Sequence, residues 1–367
     1  MDLVWKIAFS QIKGLKIEQA RQLIARLGSE EAFFTASENA LKALCCMRND
    51  VFEASSRYKL LENARREAEF ITRKGVVPIY FTDGDYPWRL AECADAPLML
   101  YAVGQRGISW NKVISIVGTR NATAYGAGFV KKLVQELASM VDGLVVVSGL
   151  AYGIDIIAHR AALEAGVPTV AVLAHGLNTI YPSAHRSTAV EIAKGGGMLV
   201  SEYMSDAVVH KGNFLTRNRI VAGLCDCTLV AESAEKGGAL VTAHLANCYN
   251  REVFALPGRV SDKYSVGCNR LISSNEAVLV NSAEDILQCM NWSERQAGCS
   301  QPQLPLAVMT PEQENVAEYL SAMPDGASLN QICASLGMPV HAVSAIMFDM
   351  ECNGVVTALP GSRYALL

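Results

Sequence analysis

Short apolar segments rich in β-branched residues alternate with helical segments through the middle of the chain. Near-continuous apolar runs are typical of parallel strands that are buried on both faces of a sheet. Six such strands are predicted, at Val113–Val117, Leu144–Ser148, Thr169–Leu173, Gly197–Ser201, Cys227–Ala231 and Glu252–Ala255. The intervening helices are predicted to begin near Gly126, Asp155, His185 and Gly238. This order predicts a doubly wound α/β fold, which binds ligands at the carboxyl ends of its strands.

Both ends of the chain follow a different pattern. Residues 1–75 are predicted to form a helical domain of the SAM or helix-hairpin-helix kind. Its Ile12-Lys13-Gly14-Leu15 segment has two interpretations. A tight helix–helix turn that needs Gly14 is favoured, and a turn whose backbone amides hold a phosphate is the alternative.

The central domain is predicted to span residues 76–290, and a Ser-, Gln- and Pro-rich linker covers 291–309. Thr310-Pro311 is a helix start, and further helices are predicted after Ser328 and at Pro339. A β-hairpin follows them. Three helices and a hairpin predict a winged-helix-like domain over residues 310–367.

Net charge changes the expected role of this last domain. The 367-residue chain has 32 Lys and Arg against 36 Asp and Glu, a net charge of −4. Residues 310–367 carry six acids and one arginine, a net −5, so that residues 1–309 carry +1. The predicted third helix contains Asp349 and Glu351 but no cation. Because a reader of duplex DNA needs cations, this domain is expected to pack against protein instead of acting as a transcription factor.

Cysteine usage and hydropathy limit the class of protein further. The eleven cysteines form no CxxC motif and no Cys/His cluster with zinc spacing, so we expect reduced thiols, no metal and no cofactor. No apolar run approaches the ~20 residues needed to cross a bilayer. We therefore expect a soluble cytoplasmic protein with no membrane association.

The end of the first predicted strand has residues suited to an anion. Gly118 lets a ligand approach the backbone, Thr119 supplies a hydroxyl, and Arg120 supplies a planar cation. A helix N-terminus follows near Gly126 and adds its dipole. The alternative is an ordinary strand-to-helix turn with a surface arginine.

The second strand ends in Ser148-Gly149, and Asp155 and His159 follow on the next helix. Hydroxyl and glycine at a strand end again favour an anion site. Asp155 and His159 are spaced i, i+4 and could pair for acid–base chemistry. Because no nucleophile is evident beside them, helix capping and orientation are the favoured roles.

A third candidate lies between His210 and Arg219. Its polar and aromatic members are Lys211, Phe214, Arg217, Asn218 and Arg219. Cations bind phosphate, and an aromatic face stacks on an unpaired base. The alternative is a solvated charged loop that leads into a helix.

A fourth candidate follows the fifth strand, where Lys236-Gly237-Gly238 opens a helix and offers backbone amides to phosphate. Carboxyl ends of parallel strands meet at one edge of the sheet. The four candidates together therefore predict a long anionic ligand or a nucleotide lying across the strand ends.

An ordered series of motifs runs through the middle of the chain. These motifs are Tyr86–Leu90, Pro97–Tyr101, Ile116–Arg120, Ser148–Asp155, Ala158-His159, Tyr181-Pro182, Ser201-Glu202, Phe214–Ile220, Lys236–Ala243, Ala255–Gly258 and Gly267–Ile272. The series covers about residues 80–290 and resembles the DNA-processing protein A family, DprA, also called Smf.

The resemblance implies an extended Rossmann-like domain that binds single-stranded DNA and is not an enzyme. It also implies a homodimer that loads RecA onto DNA during natural transformation. The family's DNA pocket carries over to Arg120, Lys211 and Phe214, with Arg217, Asn218 and Arg219 adjoining. Backbone contacts to phosphate are implied at Gly118, Gly149, Gly237 and Gly238.

One enzymatic alternative is open: a Rossmann-like nucleotide phosphoribohydrolase. In that case Glu202, Glu232 and the Gly237-Gly238 turn would hold a nucleoside monophosphate. Those enzymes carry a catalytic glutamate after their glycine turn, and the segment Lys236–Thr242 lacks one.

Overall fold

The computed structural model of the chain describes residues 2–44, 53–105, 108, 110–292, 309–323, 326–359 and 363–366. It divides into two compact units, Met1–Arg295 and Gln296–Leu367. Most of the predicted linker, residues 293–308, lies outside the described residues.

The first unit is built on a nine-stranded sheet. Its strands are β1 (Val77–Tyr80), β2 (Met99–Gly104), β3 (Lys112–Val117), β4 (Leu144–Ser148), β5 (Thr169–Leu173), β6 (Met198–Ser201), β7 (Cys227–Val230), β8 (Glu252–Ala255) and β9 (Val278–Leu279). Their order across the sheet is β1-β2-β6-β5-β4-β3-β7-β8-β9. The β1–β2 and β2–β6 pairs are antiparallel, and all the other pairs are parallel. The predicted mostly parallel, Rossmann-like sheet is confirmed.

Helices cover both faces of this sheet. The central and C-terminal helices of the unit are α6 (Trp88–Ala91), α7 (Ala124–Met140), α8 (Ile154–Glu164), α9 (Arg186–Lys194), α10 (Lys211–Gly223), α11 (Gly238–Cys248), α12 (Val266–Ser273) and α13 (Ala283–Met290). Helices α7 and α8 pack on one face through residues such as Leu133 and Ala158. Helices α10 and α11 pack on the other through residues such as Val221 and Ala243. Alternate strand residues thus feed two cores, as a doubly wound sheet requires.

All six predicted strands exist, and their bounds differ from the prediction by one residue at most. The sequence pattern missed β1, β2 and β9. Strand β9 has only two residues, and both of them are exposed. Such a strand offers too few alternating or apolar positions to be detected from pattern alone.

Five helices precede the sheet: α1 (Asp2–Ser10), α2 (Ile17–Leu27), α3 (Glu30–Thr35), α4 (Glu38–Leu44) and α5 (Ala54–Lys74). Gly14 has a φ of +79° in the turn between α1 and α2, a conformation that favours glycine. Buried residues of these helices, such as Phe9 and Ile71, belong to the same core cluster as Tyr101 of the sheet. The N-terminal helices and the sheet therefore share one hydrophobic core.

The second unit has α14 (Pro311–Ser321), β10 (Ala327–Ser328), α15 (Leu329–Leu336), α16 (Val340–Cys352), β11 (Val356–Leu359) and β12 (Arg363–Leu366). Its three strands form an antiparallel sheet in the order β10-β12-β11. Val316, Ile332, Val343 and Met347 form its own core. The predicted winged-helix fold is confirmed.

Within the described ranges, no single helix is both long and apolar enough to cross a membrane. The pair α15 and α16 meets those criteria only when taken together, across a 115° bend.

Candidate nucleic-acid interface

A cleft of about 500 Å³ lies at the carboxyl edge of the sheet. The loops after β3, β4, β5 and β7 and the first turns of α10 and α11 surround it. Ten of the thirteen predicted site residues line it: Gly118, Thr119, Arg120, Lys211, Phe214, Arg217, Asn218, Lys236, Gly237 and Gly238. The parallel topology thus brings together segments that are more than a hundred residues apart in the chain.

The loop after β3 is packed closely against its neighbours. A Cβ atom on Gly118 would stand 2.5 Å from the Ile154 side chain, so that only glycine fits. The Thr119 amide donates to the Glu232 carbonyl over 2.7 Å, which fixes this loop to the one after β7. The exposed Arg120 guanidinium then lies 5.6 Å from the Phe214 ring centroid. This geometry is a cation–π contact at the cleft wall.

The charged segment after His210 is helix α10 itself and not a loop. The His210 ring accepts from the Gly212 amide over 3.1 Å and caps the first turn. Lys211, Phe214 and Asn218 are spaced i, i+3 and i+7 and line the cleft together. The Asn218 amide donates to the Gly238 carbonyl over 3.2 Å, so that it also joins α10 to α11.

The loop after β7 ends at Gly237, the residue before the first turn of α11. Lys236, Gly237 and Gly238 are all exposed at the cleft. The first amides of a helix have no partner within the helix and attract anions. Within the described part of the chain, no carboxylate forms an ion pair with Arg120, Lys211 or Lys236.

Arg217 lies at the floor of the cleft and is only 4% exposed. Its guanidinium donates to the Val172 carbonyl. A Cβ atom on Gly149 would come within 2.0 Å of that guanidinium. Gly149 therefore makes room for Arg217 and is not among the residues that line the cleft, so that its contact with a phosphate stays a prediction. Buried Arg217 holds α10 on the sheet.

Two further predicted residues lie outside the cleft. Ser148 is fully buried, and its hydroxyl donates to the Ile116 carbonyl over 2.7 Å. Arg219 forms an ion pair with Glu202 and lines a separate cleft of about 330 Å³ beside Gly14. A helix turns about 100° per residue, so Arg217 and Arg219, which are two residues apart, point to nearly opposite sides of α10. The prediction that both reach one site is wrong for this reason.

Asp155 and His159 do not form an acid–base pair. The fully buried His159 ring bonds the Thr169 hydroxyl over 2.7 Å, and burial together with the nearby Arg217 lowers its pKa to about 3. Asp155 accepts from the Ala151 amide. Burial raises the pKa of Asp155, and the charge of Arg217 opposes that rise. These groups orient the cleft floor, which is the favoured role from the sequence.

The two glutamates of the enzymatic alternative are also engaged in structural contacts. Buried Glu232 accepts from the Thr123 amide over 2.8 Å and from the Thr123 hydroxyl, at the first turn of α7. Glu202 faces Arg219 in the separate cleft. Neither carboxylate is among the residues that line the main cleft.

Tyr181 lines the cleft and was missed by the sequence analysis as a site residue. Its ring packs edge-on against Phe214, with the ring centroids 5.9 Å apart and the planes at 61°. Tyr181 follows β5, so it too lies at the edge where the carboxyl ends of the parallel strands meet. Seven residues, 174–180, separate it from Leu173 at the end of that strand, so that pattern alone did not connect the two.

The described ranges contain no group of three or more His, Cys, Asp or Glu side chains that could hold a metal ion. All eight cysteines within them are free thiols. Cys45, Cys46 and Cys299 lie outside the described residues.

Fold and cleft together define a Rossmann-like protein with a cation-lined cleft at one edge of its sheet and a winged-helix unit. Residues 78–291 match the family model of DNA recombination-mediator protein A, and residues 300–362 match the DprA winged helix domain. Protein Smf of Escherichia coli is 35% identical over 287 residues, which are 77% of this chain and 75% of that protein. The chain therefore belongs to the DNA recombination-mediator protein A family, DprA or Smf, as its motifs indicate.

Two solved structures of relatives share the fold. The X-ray structure of DprA from Streptococcus pneumoniae matches with a TM-score of 0.67 and 33% identity, over 78% of this chain and 96% of that chain. DprA from Helicobacter pylori, solved to show its single-stranded DNA binding mode, matches with a TM-score of 0.53 and 31% identity. That match covers 59% of this chain and 95% of the relative.

Proposed function

We propose that this chain is a recombination mediator that binds single-stranded DNA in the cleft at the carboxyl edge of its sheet. One observation carries the proposal. Three cations, Arg120, Lys211 and Lys236, line the cleft together with Phe214 and the N-terminus of α11, and none of the three has a carboxylate partner among the described residues.

Each part of the cleft fits one part of a nucleotide. Lys211, Lys236 and the first amides of α11 bind backbone phosphates, because they offer charge and free donors. Phe214 stacks on a base, and Arg120 beside it contributes both charge and a planar face. Bases in a duplex are stacked on each other and cannot reach this ring. The cleft therefore favours unpaired strands.

The biological role follows the family. We propose that the chain forms a homodimer in the cytoplasm and loads RecA onto single strands during natural transformation. A near-neutral body with a local basic cleft suits this task, since it binds DNA at one place and leaves the rest of the strand to RecA. RecA ATPase activity on single-stranded DNA reports the assembly of RecA filaments. Its comparison with and without this protein tests the role.

We propose further that the chain is not an enzyme. The glutamates that a phosphoribohydrolase would use serve other contacts here: Glu232 accepts hydrogen bonds at the start of α7, and Glu202 pairs with Arg219. His159 is buried and neutral, so that it offers no acid. Release of free base or ribose 5-phosphate from nucleotides would contradict this proposal.

A titration with fluorescent oligonucleotides tests the DNA-binding proposal. Single-stranded and double-stranded oligonucleotides of one length are compared by anisotropy from about 50 to about 200 mM salt. We expect tighter binding of the single strand and affinity that falls with salt. Equal affinity for both forms, or no binding of either, would overturn the proposal.

A further inference from the structure

Two exposed tyrosines lie beside the cleft, on the loops that follow β4 and β5. Tyr152 is 48% exposed and Tyr181 is 50% exposed. Phenol rings this open to solvent at the edge of a ligand cleft are available to a ligand. Tyr181 packs against Phe214 inside the cleft, whereas Tyr152 follows Ala151, which lines it.

Buried histidines form hydrogen bonds with the backbone of both tyrosine-bearing loops. The His175 ring accepts from the Tyr181 amide over 3.2 Å, and its other nitrogen bonds the Gly176 carbonyl over 2.9 Å. The buried His185 ring bonds the Leu150 carbonyl over 2.8 Å and packs edge-on against Tyr152 at 4.8 Å. Because the supporting backbone is fixed, a ligand that stacks on these rings orders little else.

The order of the strands separates cations from tyrosines. Four neighbouring strands lie across the sheet in the spatial order β7, β3, β4, β5. Lys236 follows β7 and Arg120 follows β3, whereas Tyr152 follows β4 and Tyr181 follows β5. Phe214 from α10 lies between the two sides, in contact with both Arg120 and Tyr181. The edge therefore runs from a cationic side to an aromatic side.

We propose that Tyr181 and Tyr152 continue the stacking surface of Phe214 and bind further unpaired bases of the same strand. Stacking of this kind tolerates any base, because every base has a flat π face. The ligand class is single-stranded nucleic acid longer than the cleft itself. This inference rests on the proposed function, and the experiment below separates the failure of one from the failure of the other.

The test measures the affinity of a single-stranded dT oligonucleotide of roughly 15 nucleotides, a length that spans several stacking positions. The variants are Tyr181→Ala, Tyr152→Ala and Tyr181→Phe, with Tyr58→Ala as matched control. Tyr58 is 64% exposed on α5 and does not line the cleft. We expect Tyr181→Ala to weaken binding roughly five- to hundredfold, Tyr152→Ala to weaken it less, and Tyr181→Phe and Tyr58→Ala to bind like the parent chain.

Salt and abasic oligonucleotides identify the cause of the loss. The slope of log Kd against log salt stays unchanged in Tyr181→Ala, because no phosphate contact is removed. The penalty of Tyr181→Ala also disappears on an oligonucleotide of the same length whose sites are all abasic, since no base is left to stack. A penalty that persists on the abasic strand would contradict a stacking role.

Two outcomes separate the hypotheses. If the parent chain does not prefer single strands, the proposed function itself fails. If the parent chain binds single strands well and the affinities of Tyr181→Ala and Tyr152→Ala stay within about twofold of it, only the proposed stacking on the two tyrosines is overturned. In that case the tyrosines serve another surface, such as a protein contact.

Discussion

Helix α10 has two regions with opposite roles for the same kind of side chain. Lys211, on its first turn, is exposed at the cleft and has no carboxylate partner among the described residues. Arg217 is buried and Arg219 is paired with Glu202. Three cations within nine residues thus comprise one candidate DNA contact and two structural contacts. A cation on this helix is available to a ligand only where it is unpaired and accessible, and its position in the sequence does not decide this.

Arg217→Ala is expected to have the largest effect and to act on stability. Removal of the guanidinium leaves the buried Val172 carbonyl without its donor and takes away the charge that opposes the raised pKa of Asp155, which together cost about 3 kcal/mol. The free energy of unfolding, measured by urea denaturation, reports it. Lys211→Ala is the control and should change that free energy by less than about 0.5 kcal/mol. Unchanged stability in Arg217→Ala, together with lost DNA binding, would place Arg217 with the ligand-binding cations.

Phe214→Ala tests the cleft side of the helix. Loss of the stacking face is expected to weaken single-strand binding by about 1–3 kcal/mol, with no change in the salt slope. Anisotropy titrations at several salt concentrations measure both quantities. A loss of affinity for duplex DNA of the same size would argue against stacking on an unpaired base.

The buried His159 ring predicts a contribution to stability that depends on pH. The pKa of His159 is about 3 in the folded chain, below the ordinary value of 6.5, so the unfolded chain binds more protons between these values. The contribution of His159 to the free energy of unfolding is therefore fully present above pH ~6.5 and falls by about 2 kcal/mol between pH 7 and pH 5. Denaturation at both pH values measures it. His159→Asn keeps a donor to Thr169 and should lose this contribution, and an unchanged pH dependence would contradict the assignment.

Lys211→Ala and Arg219→Ala test the difference between the two sides of α10 directly. We expect Lys211→Ala to weaken single-strand binding and to reduce the salt slope by about one unit, because one phosphate contact is lost. Arg219→Ala is the matched variant on the other side of the helix and should leave the slope unchanged. Equal slopes for the two variants would show that the ion pair with Glu202 does not distinguish these cations.

Deletion of residues 310–367 is expected to have the smallest effect. That unit carries a net −5, and its third helix α16 has no Lys or Arg. Single-strand affinity of the truncated chain should stay within about twofold of the parent, since the deleted unit offers little to phosphate. Loss of all DNA binding would show that the winged-helix unit, and not the cleft, binds the strand.

Much of the site was predictable because parallel strands place their carboxyl ends at one edge. Residues in strand-end loops, such as Arg120 and Lys236, could be assigned from that rule alone. Arg219 and Gly149 could not. The face that a helical residue takes depends on where its helix packs, and the need for a glycine depends on which side chain from another element comes near it.

The parallel sheet, the winged-helix unit and the acidic charge of that unit could all be predicted from the sequence, because they follow from local periodicity and composition. The family could be predicted too, through motifs in a fixed order. Which cations are free depends on the folded arrangement, since pairing joins residues far apart in the chain. The contact between Tyr181 and the Phe214 ring also depends on the fold, because Tyr181 lies on a long loop after β5 and Phe214 lies on α10.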